Sequence, residues 1–116
     1  MAVSSIVLYA LNLTQTADFY RSLGIELDEN EQRAVGEAGL VRMVIMRAAS
    51  ADIAPTGSVG TAMIGIDVWN LEGLVERLQA DGRRVLRPVQ QRDWGRRAVV
   101  ADPDGRPVEL VEHVGP

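Results

Sequence analysis

The sequence predicts an α+β fold built from two copies of one strand–helix–strand–strand–strand unit. Three observations carry that expectation. Asn12-Leu13 recurs as Asn70-Leu71, and Gly24 recurs as Gly82, all at an offset of 58 in a chain of 116 residues. The order of apolar periodicities around these marks is the same in both halves. A last hairpin is written in the segment Asp102-Pro103-Asp104-Gly105, set between apolar runs at 98–101 and 108–111. Pro103 presets φ, Asp104 tolerates a tight bend and Gly105 can take φ > 0.

In chain order, residues 5–11 alternate as a first strand, with Ile6, Leu8 and Ala10 on one face and Ser5, Val7 and Tyr9 on the other. Asn12 or Thr14 caps a helix whose apolar side holds Ala17, Phe19, Tyr20 and Leu23, and Gly24 stops it. Short strands are expected at 25–28 and 33–35, a turn at 36–39, and a strong strand at 40–47. Residues 48–60 are small and contain Pro55 and two glycines, which reads as a linker or loop. A strand at 61–68 follows. Asn70 then caps a helix with Leu71, Leu74, Val75 and Leu78 at i, i+3, i+4 and i+7. Gly82 closes it, and strands are expected at 85–86, 91–100 and 108–112. The domain reading is one domain of two modules: 1–50, a linker at 51–60, and 61–116. Each unit alone leaves a sheet face uncovered, so the two are expected to pack together.

Composition narrows the function classes. The chain is 47% hydrophobic and 24% charged, which excludes a disordered segment. No apolar run reaches the roughly 20 residues of a membrane span, and the start has no basic n-region, so neither a membrane anchor nor a signal peptide is expected. Zero cysteines remove disulfide and thiolate chemistry and fit a cytoplasmic protein. All 12 basic residues are Arg, and seven of them (83, 84, 87, 92, 96, 97 and 106) fall within a short stretch. Such a patch could meet an anionic ligand. The net charge of −4 and the interspersed Asp81, Asp93, Asp102 and Asp104 speak against nucleic acid.

Two stretches resemble the vicinal-oxygen-chelate superfamily, the glyoxalase, bleomycin-resistance and extradiol-dioxygenase proteins. They are Leu13 with Ala17-Asp18-Phe19-Tyr20-Arg21-Ser22-Leu23-Gly24-Ile25, and Asp102-Pro103-Asp104-Gly105-Arg106-Pro107-Val108-Glu109-Leu110-Val111-Glu112. The resemblance covers nearly the whole chain. It implies two βαβββ modules with sheets curled around a shared cavity, often in a homodimer. It also implies four metal-ligand positions, which fall here on Ser5, Met46, Met63 and Glu109. Only Glu109 keeps a ligand type, since Ser and Met thioether do not suit hard divalent metals. The expectation is a protein without metal or other cofactor.

The same face should carry a pocket. Tyr9, Met46, Met63, Asp67, Trp94 and Glu109 are its expected lining, with Gly65 leaving room for a ligand and Trp94 stacking on a flat one. Trp69 is expected to pack between sheet and helix, and His113 to be exposed. The favoured function is small-molecule binding, with antibiotic or metabolite sequestration as the form it takes. The alternative is a lyase, isomerase or dioxygenase-like enzyme that uses Glu109 and Asp67 for acid–base work or as a weak metal site. Against that alternative, Asp67 would face solvent and Glu109 would pair with an Arg such as Arg97. A subunit of a larger assembly with no ligand of its own is a third reading.

Overall fold

The computed structural model describes residues 5–50 and 63–113. The chain divides into two compact units, Met1–Gly57 and Ser58–Pro116, each built around one sheet. The first unit holds β1 (Ser5–Ala10), α1 (Leu13–Ser22), β2 (Asp28–Glu29), β3 (Arg33–Ala38) and β4 (Val41–Arg47). The second holds β5 (Ile64–Asp67), α2 (Leu71–Ala80), β6 (Val85–Arg92), β7 (Gly95–Ala101) and β8 (Pro107–His113). The sheet orders are β1-β4-β3-β2 and β5-β8-β7-β6, with β1–β4 and β5–β8 parallel and the other pairings antiparallel. The two orders are one topology used twice, as the 58-residue repeat requires.

Each helix covers one face of its own sheet. In the first unit Leu13, Ala17, Phe19 and Tyr20 are buried, with Ala34, Met43 and Ile45 among the buried residues of the strands that α1 packs on, and Phe19 meets Tyr20 edge-on with centroids 5.0 Å apart. In the second unit Leu71, Leu74, Val75 and Leu78 are buried, as their spacing predicts, with Ala98, Val100, Val108 and Leu110 as the facing strand residues. Side chains alternate along each strand, so the remaining set forms the opposite face of each sheet. In the second sheet that face carries Gly65, Asp67, Arg97, Val99, Glu109, Val111 and His113.

The caps repeat in kind but not in detail. Asn12 has extended backbone, φ −126°, and its Oδ1 accepts from Gln15 N–H at 3.0 Å. Asn70 reaches Gly73 N–H at 3.4 Å from a left-handed backbone, φ 47°. A Cβ at Gly73 would lie 2.5 Å from Asn70 Nδ2. The helix stops match closely, with Gly24 at φ 98° and Gly82 at φ 82°.

Several expectations are corrected. Gly36 lies inside β3, not in a turn, and the chain turns at Gly39 and Leu40. A Cβ at Gly36 would stand 1.9 Å from the carbonyl oxygen of Glu26, so the glycine is set by a neighbouring segment rather than by a bend. Gly36→Ala is therefore expected to cost about 1–3 kcal/mol, read as a lowered urea midpoint with an unchanged m-value. The strands expected at 85–86 and 91–100 are a longer β6 that runs on to Arg92 and a shorter β7 that starts at Gly95, divided at Asp93 and Trp94. β6 accommodates Pro88 because it is an edge strand with register shifts between Val85 and Arg87 and between Arg87 and Gln90. The strand expected at 25–28 is the two-residue β2, and the expected loop at 48–60 begins with a 3-10 turn, Ala48–Ser50. Most of that loop, including Pro55, lies outside the described residues. Trp69 is 93% exposed rather than packed, because the space under α2 is filled by its own leucines and valine.

Candidate functional site

The last hairpin fixes the register on which the site depends. Asp102, buried at the end of β7, uses Oδ1 to accept the N–H groups of Asp104 and Arg106, each at 2.9 Å. Its Oδ2 meets the Arg106 guanidinium. Gly105, at φ 84°, donates its N–H to the Asp102 carbonyl at 2.9 Å. With this turn closed, β8 lies with Glu109 between Gly65 of β5 and Val99 of β7, and with Val111 between Asp67 and Arg97.

A cavity of about 360 Å3 opens on this face, lined by Gly65, Asp67, Trp94, Glu109, Val111 and His113. Trp94 comes from the β6–β7 turn and sits 5.5 Å from the His113 ring, the two planes tilted by 48°. His113 Nε2 is 3.4 Å from Asp67 Oδ1. Arg97 Nε donates to Glu109 Oε2 at 2.7 Å. Gly65 forms a bare patch of wall, where an added Cβ would meet only Glu109 Oε1, at 3.6 Å.

Of the residues singled out in the sequence, Asp67, Trp94 and Glu109 lie together along this cavity. His113 is exposed and also joins the cavity. Met63 does not line it; the residue stands just before β5 and is 48% exposed. Tyr9 and Met46 belong to the first unit, where they face each other across β1–β4. The pairing of Glu109 with Arg97 and the exposure of Asp67, at 82% of its side chain, are the arrangement expected of structural carboxylates. Much of the arginine patch is likewise engaged within the second unit: Arg96 with Glu72 at 2.7 Å, Arg97 with Glu109, and Arg106 with Asp102.

The register also locates the internal counterpart of Glu109. Tyr9 and Asp67 stand three residues before their respective caps, and they pair with Met46 and Val111. Two residues back, Val7 pairs with Val44 as Gly65 pairs with Glu109. The position equivalent to Glu109 in the first unit is therefore Val44, two residues before Met46. Neither side chain offers a carboxylate.

The family model of the Glyoxalase/Bleomycin resistance protein/Dioxygenase superfamily matches residues 2–110. The chain belongs to this superfamily. Solved structures of similar fold include a glyoxalase-related enzyme from Fulvimarina pelagi, 26% identical, with a TM-score of 0.80 over 97% of this chain and 88% of that one. TioX from Micromonospora sp. ML1 is 18% identical, with a TM-score of 0.75 over 98% of this chain and all of that one. A lactoylglutathione lyase from Agrobacterium tumefaciens is 19% identical, with a TM-score of 0.71 over 96% and 92% of the two chains. No curated protein matches. At these identities, the TioX and lyase likenesses speak for fold alone.

Superfamily enzymes hold a divalent metal, and the donors here do not fit one. Ser5, Met63 and either Met46 or Val44 stand where ligands are implied, and Glu109 already gives one oxygen to Arg97. Among the described residues no three of His, Cys, Asp and Glu converge as a metal site. No helix of the described residues is long and apolar enough to cross a membrane.

Proposed function

We propose that this superfamily member binds a small organic molecule on the face of its second sheet opposite α2 and sequesters it without a metal. The supporting observation is the cavity at Gly65: an indole, an imidazole and a valine provide flat and apolar surface, while two carboxylates provide orienting acceptors. Sequestration requires only such shape, stacking and a few hydrogen bonds. Antibiotics and metabolites with a planar ring are the candidates, and a cytoplasmic homodimer is the proposed working form. A thermal-shift and calorimetric screen of planar aromatic compounds tests the reading. A ligand held at 100 times its Kd should stabilise the protein by about 2.7 kcal/mol. Gly65→Leu, which fills the bare wall, should abolish that gain while leaving the unliganded protein folded. A panel without any binder would defeat the proposal.

A second reading has one observation in its favour. Asp67 and His113 form a carboxylate–imidazole pair at the edge of the same cavity, the kind that moves protons in lyases and isomerases. Glu109 is less available for that work because Arg97 holds it. Turnover of a bound compound, lost in His113→Asn while its binding persists, would establish this reading over simple sequestration.

A further inference from the structure

The cavity beside Trp94 is acceptor-rich, and this bears on the charge of what enters it. Its lining holds two carboxylates, those of Asp67 and Glu109, and no arginine. Arg97 reaches Glu109 through Oε2 only. Oε1, the oxygen beside the bare wall at Gly65, accepts no hydrogen bond among the described residues. Asp67 stands at the cavity edge with His113 as its partner. Two carboxylates against one guanidinium leave the surroundings negative, and Trp94, 43% exposed, offers an indole to anything flat. The electron-rich face of an indole attracts a positively charged group, and a carboxylate oxygen without a donor accepts most strongly from a charged N–H.

We propose that the ligand class is a planar aromatic cation. Its ring lies on Trp94, and its N–H groups donate to Glu109 Oε1 and to Asp67. An anionic ring of the same outline meets two carboxylates and is rejected, because like charges brought together in a partly desolvated site cost affinity. This inference rests on the small-molecule reading above and adds to it the sign of the charge.

The test uses the full chain with Trp69→Phe, so that Trp94 is the single indole reporter. Three tricyclic dyes of matched outline are titrated in mildly alkaline buffer: a diaminoacridinium cation, a neutral acridone and an anionic acridine carboxylate. Quenching of Trp94 should show the cation binding about tenfold or more tighter than the neutral dye, with the anion weakest. Added salt should narrow that gap, and Asp67→Asn or Glu109→Gln should each reduce it severalfold. Asp67→Asn keeps the test valid should Glu109→Gln disturb Arg97, since Asp67 is exposed. Equal or tighter binding of the neutral or anionic dye overturns the inference and leaves the small-molecule reading standing. Cation binding that survives Gly65→Leu overturns it as well, because the dye is then held by the general negative charge of the protein. Failure of all three dyes to quench Trp94 overturns the inference, and the small-molecule reading falls with it only if the wider screen also yields no binder.

Discussion

Asp102→Ala is expected to destabilise the protein by about 3–5 kcal/mol, the largest stability effect of any single polar substitution described above. The carboxylate is buried and serves three donors at once: the N–H groups of Asp104 and Arg106, and the Arg106 guanidinium. Removing it takes the Oδ1 acceptor from two backbone N–H groups in a part-buried turn and the nearer of two carboxylates from the Arg106 guanidinium, and an unmatched buried donor costs more than a hydrogen bond gains. The loss extends beyond the turn, because the turn holds β7 and β8 in register. Urea denaturation should show a lower midpoint at constant m-value. Asp102→Asn, which keeps the Oδ1 acceptor, should recover part of the difference. A loss below about 1 kcal/mol would mean that water replaces the carboxylate and that the hairpin closes without it.

Trp94→Ala is expected to weaken binding of a planar ligand about thirtyfold or more, the loss typical of an aromatic anchor at the centre of a site. Stability should change little, because the indole is part-exposed in a turn and its ring neighbour is the exposed His113. Calorimetry of the variant with any ligand found in the screen separates the two effects. Unchanged affinity would place the ligand away from the cavity.

How far the sequence carries depends on whether the cause of a feature is local. The face of α2 is legible because Leu71, Leu74, Val75 and Leu78 sit at helical spacing, and burial follows from that spacing alone. The hairpin at Asp102 is legible because Pro103, Asp104 and Gly105 each constrain their own backbone. Gly36 misleads for the opposite reason: its lack of a side chain answers to the Glu26 carbonyl across the chain, and nothing adjacent in sequence records that contact. The gap expected between residues 86 and 91 fails likewise, because only the edge position of β6 explains how the strand continues through Pro88. In the site, alternation placed Gly65, Asp67, Glu109 and Val111 on one face, and Glu109 with Arg97 was foreseeable as a cross-strand neighbour. That Val44 is the counterpart of Glu109 required the register of β1 on β4, a pairing between segments far apart in sequence.

The unlike caps of the two helices restrict the order in which substitutions can accumulate. The amide of Asn70 fills the room left by the missing Cβ of Gly73, so an alanine there makes the cap side chain shift. The helix propensity gained by alanine is then offset by the disturbed cap. A shorter cap such as serine removes that conflict, and the alanine gains more once it is in place. The first unit, with Gln15 at the matching place beside Asn12, is free of that dependence. Two halves with one topology therefore have different sets of accessible mutational steps.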